Sequence, residues 1–208
     1  MENPEEVAAR LKPLAEISSR DAKWDAFDKR TLEQHHQRVG EFSLHGGVPT
    51  IVLQCFENAR NTWLYSFFNF PLLKLAHVQA HLAGEVAIKE RARLSGVDTK
   101  TKTLKNLLDM AISQGWLLNP DLELAADQNH RQAQHREMLR YFRIPFDPLA
   151  QTIHAQEYAN ELVEAFRQIR NALADSEQEL KPNVNWEFSV IQNLINQLFP
   201  QQAASALK

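Results

Sequence analysis

The stretch 63-WLYSFFNFPLLKLA-76 places one proline, Pro71, between two apolar segments with helical periodicity. Proline suits the first turn of a helix and disrupts a helix interior. We therefore predict one long helix over about residues 49–70 and a second over about 71–94. Gly96 follows the second helix, where glycine is the usual terminating residue. The two helices are expected to form a long antiparallel hairpin that turns near Pro71.

The rest of the chain has the composition of a helical protein. Glycine occurs only six times in 208 residues, runs typical of strands are few, and good helix formers dominate. Further helices are predicted over residues 4–18, 101–115, 151–174 and about 184–199. This pattern favours an all-α fold: an antiparallel helical bundle with an extra N-terminal helix and a polar excursion.

The domain organisation is predicted from the same pattern. It comprises an N-terminal extension (1–48), a helical bundle (49–200) and a C-terminal tail (201–208). Residues 19–47 are polar and are expected to be mixed loop with one further helix. Residues 119–148 are very polar and flanked by prolines, so we expect this excursion to be the least ordered region.

Composition limits the class of protein. No apolar run reaches the roughly 18–20 residues of a membrane span, and the acidic N-terminus lacks the apolar region of a signal peptide. Cys55 is the single cysteine, so an intramolecular disulfide is excluded. The formal net charge of −3 argues against a protein that coats DNA. We expect a cytoplasmic protein without membrane contact.

The segment 169-IRNALADS-176 is unusual for a helix end. It pairs Arg170 with Asn171 and places Asp175 where the helix should finish. A carboxylate in the last turn opposes the helix dipole at a cost of about 0.3–1 kcal/mol. The segment is therefore either a surface feature or part of a functional site.

Four stretches of the chain, one of which contains this segment, together resemble a known family. The stretches are 56-FENARNTWLYSFFNF-70, 79-QAHLAGEVAIKERA-92, 166-FRQIRNALADS-176 and 191-IQNLINQLFP-200. Over roughly residues 50–200 the chain resembles bacterial proteins of the HEPN superfamily. The resemblance implies a small helical bundle, a homodimer and, as in many members, a metal-independent ribonuclease that uses no cofactor.

The family signature in close relatives reads Arg-Asn-x-x-Ala-His-Gly-Ser. Its arginine would hold the scissile phosphate, and its histidine would act on the 2′-hydroxyl or the leaving oxygen. Arg170 and Asn171 match this signature, but Asp175 occupies the histidine position. Imidazole suits proton transfer near neutral pH, whereas an aspartate has an unperturbed pKa of about 3.9. We expect Arg170, Asn171 and Asp175 to mark a degenerate ribonuclease motif.

Cationic side chains elsewhere in the chain are further candidates for holding RNA phosphates. The predicted phosphate-binding residues are Arg170, Arg60, Lys89, Arg91 and Arg93. The alternative for the segment 89–105 is a solvated helix end whose cations suit the dipole. Glu57 and Glu85 are expected to lie in a polar seam, and Glu85 falls where relatives of the family often carry a glutamate.

A metal site is not predicted, although His77, His81 and Glu85 follow one another at four-residue steps. Two histidines four apart on one helix face can share a metal. A zinc-protease motif, however, needs a glutamate directly after the first histidine, where Val78 stands. We therefore favour a polar seam in which Glu85 pairs with Lys89.

Three functions remain open from the sequence. The first is a non-catalytic HEPN-like protein that acts through dimerisation and binding of RNA or a protein partner. The second is an active endoribonuclease of toxin or defence type, for which an antitoxin would be the partner. The third is a helical bundle with a metal site.

Overall fold

The computed structural model describes residues 12–27, 29–117, 155–174 and 184–200. Regular structure in these ranges is entirely helical and includes no strand, which confirms the predicted all-α fold. The six α-helices of these ranges are α1 (Leu32–Gly40), α2 (Thr50–Tyr65), α3 (Leu72–Leu94), α4 (Leu104–Ser113), α5 (Ala155–Ala174) and α6 (Val184–Leu198). None of them is both long and apolar enough to traverse a bilayer.

The hairpin of α2 and α3 turns at Pro71, as predicted, but α2 ends earlier than expected. The prediction placed its end at Phe70, whereas it ends at Tyr65. The Phe70 N–H donates to the Asp21 carboxylate at 2.8 Å. This backbone group is therefore bonded to a distant residue, and the chain between α2 and Pro71 turns instead of continuing as helix.

Glycines mark the ends of two helices, as the sequence indicates. Gly96 after α3 has φ 77° and Gly115 after α4 has φ 64°, a left-handed conformation that favours glycine. The helix predicted over residues 101–115 begins later, at Leu104. Thr103 caps it, since its hydroxyl accepts from the Asn106 N–H at 3.2 Å.

The prediction of an α-helix over residues 4–18 is wrong for the part that the structure describes. Only a short 3₁₀ helix, Leu14–Glu16, occurs there. Pro13 precedes it with φ −57° and ψ 143°, outside the helical region. A proline inside the predicted helix removes a backbone donor and clashes with the preceding turn.

Trp24, Val39, Phe42 and Val48, which all precede α2, join the hydrophobic core of the bundle. A second 3₁₀ helix, Ala22–Ala26, contains the buried Trp24, whose Nε1 donates to the Ser66 carbonyl at 2.7 Å. In α1, Thr31 and Gln34 form a capping box, each side chain bonded to the other residue's backbone N–H. This region packs against the turn between α2 and α3.

Helix α3 occupies the centre of the bundle, where it packs against α2, α4, α5 and α6. Small residues line its buried faces, so neighbouring helices approach closely. One close approach is at Gly84, where an added Cβ would lie 2.6 Å from the Phe166 ring. Next to α3, the aromatic rings of Trp63 and Phe188 are 4.6 Å apart between centroids.

Several predicted segments lie outside the described residues. They are the start of the first helix (4–11), the polar excursion (119–148), the first residues of the helix predicted over 151–174, and the C-terminal tail (201–208). Asp175 also lies outside them. The helices predicted over 151–174 and 184–199 correspond to α5 and α6.

Candidate functional site

One face of α3 carries four ionisable side chains at four-residue steps, and we call it the α3 polar stripe: His77, His81, Glu85 and Lys89. Exposure of these side chains rises along the stripe from 0% to 5%, 18% and 52%. Four residues are slightly more than one helical turn, so the four side chains share a face. The stripe therefore runs from the bundle interior to solvent.

Arg170 on α5 meets the α3 polar stripe at Glu85. The Arg170 Nε lies 3.5 Å from Glu85 Oε1, and the Lys89 Nζ lies 3.8 Å from Glu85 Oε2. Arg170 and Lys89 are 58% and 52% exposed. Exposed ion pairs contribute about 0–1 kcal/mol. One carboxylate is thus shared by two cations that solvent can reach, which leaves a charge of +1 for these three groups.

His81 is held against α5 by two contacts with Phe166. The imidazole Nε2 donates to the Phe166 carbonyl at 3.3 Å, and the two rings are stacked. Because a carbonyl only accepts, this bond places the proton of a neutral His81 on Nε2. Nδ1 is then an acceptor, and it lies 3.7 Å from Glu85 Oε1.

Burial lowers the pKa of His81 below its ordinary value, and the positive charge of Arg170 lowers it further. The charges of Glu85 and Glu187 and the hydrogen bond to Phe166 act in the opposite direction and are outweighed. His81 is therefore uncharged at neutral pH. The positive charge at this position comes from Arg170 and Lys89.

The buried end of the α3 polar stripe contacts α6. His77 Nδ1 donates to the Glu187 carboxylate, and both side chains are almost completely removed from solvent. The second ring nitrogen of His77, Nε2, is buried and has no hydrogen-bond partner among the described residues. Glu187 was not singled out by the sequence analysis. A glutamate between Trp186 and Phe188, inside an apolar stripe, is the signal that marks it.

The geometry does not bring His77, His81 and Glu85 together as metal ligands. His77 pairs with Glu187, and the Nε2 of His81 is occupied by the Phe166 carbonyl. Across the described ranges, no group of three or more His, Cys, Asp or Glu side chains is placed to hold a metal ion. Glu85 instead pairs with Lys89.

Arg60 and Glu57, which were candidates for phosphate binding and for a polar seam, contact each other on α2. Arg60 Nη1 bonds to Glu57 Oε1 at 2.5 Å. The Nε and Nη2 of the same arginine each donate to the Val39 carbonyl at 3.4 Å. Arg60 therefore connects α2 to the end of α1. Its partners are Glu57 and Val39, whereas Arg170 contacts Glu85.

Arg91 and Arg93, the two arginines near the end of α3, have different neighbours from those of Arg170. Arg91 lies over the Trp116 ring, with its guanidinium carbon 5.6 Å from the ring centroid. Arg93 forms a two-bond pair with Glu90, at 2.6 and 2.8 Å. Among the predicted phosphate-binding residues, Lys89 is therefore the one that shares a carboxylate with Arg170.

Asn171 follows Arg170 on α5 and is exposed. Its amide can both donate and accept hydrogen bonds. The described part of the motif thus has an exposed guanidinium and an exposed amide at consecutive positions of α5.

No family model matches the chain, and no curated protein and no solved structure matches it significantly.

Proposed function

We propose that this chain is a HEPN-like protein that binds RNA phosphates at Arg170 and Asn171 without cleaving the RNA, and that it acts as a homodimer. The observation that supports binding is the cluster at the exposed end of the α3 polar stripe. Arg170 and Lys89 surround the single carboxylate of Glu85, and both cations are more than half exposed.

The net charge and the donor groups of this cluster suit a phosphodiester. A guanidinium presents two parallel N–H groups to two phosphate oxygens, and the exposed Asn171 amide supplies another donor. The three charged groups Arg170, Lys89 and Glu85 sum to +1, which complements one phosphate. Each phosphate contact of this kind makes binding weaken as salt rises.

The non-catalytic part of the proposal rests on the properties of two side chains, Asp175 and His81. Asp175 stands at the position of the family histidine, and an aspartate at neutral pH is almost fully ionised. His81 is the imidazole beside Arg170, but it is buried and its Nε2 proton is held by the Phe166 carbonyl. Neither group offers a proton to a bound phosphate at pH 7.

The binding test compares two arginines one turn apart on α5. Arg170→Ala removes the proposed phosphate ligand. Arg167→Ala is the matched control, because Arg167 is paired with Asp109 at 2.9 Å. With a fluorescent single-stranded uridine oligonucleotide at low salt, we expect R170A to bind about tenfold more weakly. R167A should bind within about twofold of wild type. Equal losses in the two variants would contradict a site at Arg170.

Cleavage is tested on a mixed RNA pool with EDTA present. We expect wild type, Arg170→Ala and Asp175→Asn to leave the RNA intact. Asp175→Asn should retain or improve RNA binding, since it removes negative charge at constant size. Robust cleavage by wild type that R170A abolishes would show a working ribonuclease instead.

The dimer is a separate part of the proposal and has its own measurement. Light scattering at tens of micromolar should give twice the mass of the 23.9 kDa chain. A monomeric mass would contradict the proposed dimer, and it would not affect the proposal that the chain binds RNA. The cytoplasmic location stays a prediction from the sequence.

A further inference from the structure

We infer that Glu85 and His81 are positioning residues for Arg170: Glu85 restrains the guanidinium, and a proton on His81 Nδ1 competes with Arg170 for the same carboxylate oxygen. The effect on RNA rests on the proposed function. The coupling among the three side chains does not, because it follows from their contacts alone.

The shared atom is Glu85 Oε1. Arg170 Nε lies 3.5 Å from it and His81 Nδ1 lies 3.7 Å from it. Both distances are longer than a direct hydrogen bond, so neither contact is tight in the neutral state. A small movement of the Glu85 side chain toward one partner therefore weakens its contact with the other.

The hydrogen bond to the Phe166 carbonyl determines which His81 nitrogen can take up a further proton. With Nε2 donating to that carbonyl, a neutral His81 turns a lone pair on Nδ1 toward the Glu85 carboxylate. Two acceptors facing each other do not attract, so Glu85 interacts with Arg170 and Lys89. When Nδ1 takes up a proton it becomes a donor, and a charged hydrogen bond to Glu85 Oε1 is then available.

Among the described residues, the charged groups that act on His81 come from three helices. Glu85 lies on its own helix α3, Arg170 on α5 and Glu187 on α6. Lys89 acts through Glu85, which it contacts. Protonation of His81 raises the summed charge of His81, Glu85, Lys89 and Arg170 from +1 to +2.

The direction of the effect follows from these charges. Because burial lowers the pKa of His81, the proton arrives only below the ordinary histidine range. As pH falls, Glu85 is drawn toward His81, Arg170 is released, and the local charge rises. Anion binding at Arg170 should therefore strengthen under mildly acidic conditions.

The first experiment measures the coupling without RNA. The imidazole resonances of isotopically labelled protein report the pKa of His81 in wild type, Arg170→Ala and Glu85→Gln. We expect R170A to raise this pKa, since a repelling cation is lost, and E85Q to lower it, since an attracting anion is lost. Arg170 is 58% exposed, and Glu85→Gln preserves the size of the side chain, so folded protein is expected. An unchanged His81 pKa in both variants overturns the inference.

The second experiment measures RNA affinity between pH 7.5 and pH 5 with a uridine oligonucleotide, whose phosphodiesters keep one charge throughout this range. One added charge near a phosphate corresponds to about fivefold in affinity. We expect the affinity to rise toward this factor as the pH falls, in wild type and in the control His36→Gln, which alters an exposed histidine on α1. His81→Gln should show a flat profile.

The outcomes separate the coupling from the proposed function. No RNA binding at any pH, with the His81 pKa still responding to R170A and E85Q, overturns the proposed function and supports the coupling. RNA binding that R170A weakens, combined with an equal pH profile in His81→Gln and wild type, supports the function and overturns the positioning role of His81.

Discussion

The His81 imidazole lies flat against the Phe166 ring, with the ring centroids 4.1 Å apart and an angle of 14° between the planes. The backbone carbonyl of Phe166 also accepts the His81 Nε2 proton. One residue of α5 therefore determines both the orientation and the tautomer of a histidine on α3. This contact joins the core of the bundle to the candidate site.

Stability should decrease as the pH falls below the ordinary pKa of histidine. The pKa of His81 is lowered in the folded protein, so the unfolded chain takes up this proton first. Above about pH 6.5, His81 is neutral in both the folded and the unfolded protein, and its contribution to the free energy of unfolding is complete. The contribution is lost progressively as the pH falls from there through the folded pKa, with a slope limited to about 1.4 kcal/mol per pH unit for one proton.

Urea unfolding between pH 7.5 and pH 5 measures this effect. His81→Gln should show a shallower decline than wild type, because it has no proton to gain at this position. His36→Gln is the control, since His36 is exposed, and its profile should follow that of wild type. Parallel profiles for wild type and His81→Gln would contradict a lowered pKa at His81.

Gly84 should be intolerant of even one added methyl group. The Cβ of an alanine there would lie 2.6 Å from Phe166 Cε2 and 3.0 Å from Cζ. The Phe166 ring is fully buried, so it has little room to move. We expect Gly84→Ala to destabilise the fold by about 1–3 kcal/mol, as overpacking does.

Gly40→Ala provides a matched control in the same unfolding assay. A Cβ at Gly40 meets nothing within 4 Å, and alanine is the better helix former by about 1 kcal/mol. This variant should be as stable as wild type or slightly more stable. If Gly84→Ala were as stable as Gly40→Ala, α3 and α5 would be able to move apart without loss of stability.

The helices were predictable from local signals, because those signals act on the backbone within a few residues. Pro71, Gly96 and Gly115 each determine a helix boundary through their own φ preferences. The end of α2 was not predictable in this way. The chain after α2 is bonded to Asp21, whose carboxylate accepts from the Phe70 N–H 49 positions away in the chain.

The candidate site was only partly predictable for the same reason. The four-residue steps of the α3 polar stripe indicate a shared face, and the pairing of Glu85 with Lys89 follows from it. The contact of Arg170 with Glu85 joins two helices, and periodicity within one helix does not specify its neighbour. Glu187 was missed because its role depends on a buried histidine of another helix.

The buried pair of His77 and Glu187 should be sensitive to loss of one partner. Glu187→Ala leaves the His77 donor buried without its acceptor. A buried donor that is left without an acceptor costs about 1–3 kcal/mol. Denaturant unfolding should show a loss of this size for Glu187→Ala.

Glu164→Ala is the control for loss of a glutamate. Glu164 is exposed and lies 3.9 Å from Arg167, so its loss should change stability by at most about 0.5 kcal/mol. Replacing His77 and Glu187 together with apolar residues should cost less than the sum of the two single changes. Additive losses would show that the two side chains contribute independently.

Trp24 tests whether the region before residue 49 is part of the folding unit. Its side chain is buried, its ring lies 5.0 Å from the Phe70 ring between centroids, and its Nε1 donates to the Ser66 carbonyl at 2.7 Å. Trp24→Ala removes all three interactions and should destabilise the whole bundle by about 3–5 kcal/mol. Trp24→Phe keeps an aromatic ring and loses the hydrogen bond, so its cost should be smaller, about 1–3 kcal/mol.

Leu14→Ala alters a highly exposed residue of the same region and should stay within about 0.5 kcal/mol of wild type. The measurement is cooperative unfolding followed by far-UV circular dichroism, which reports all helices together. If Trp24→Ala unfolds at the same urea concentration as Leu14→Ala, the first 48 residues are an extension that the bundle does not need for stability.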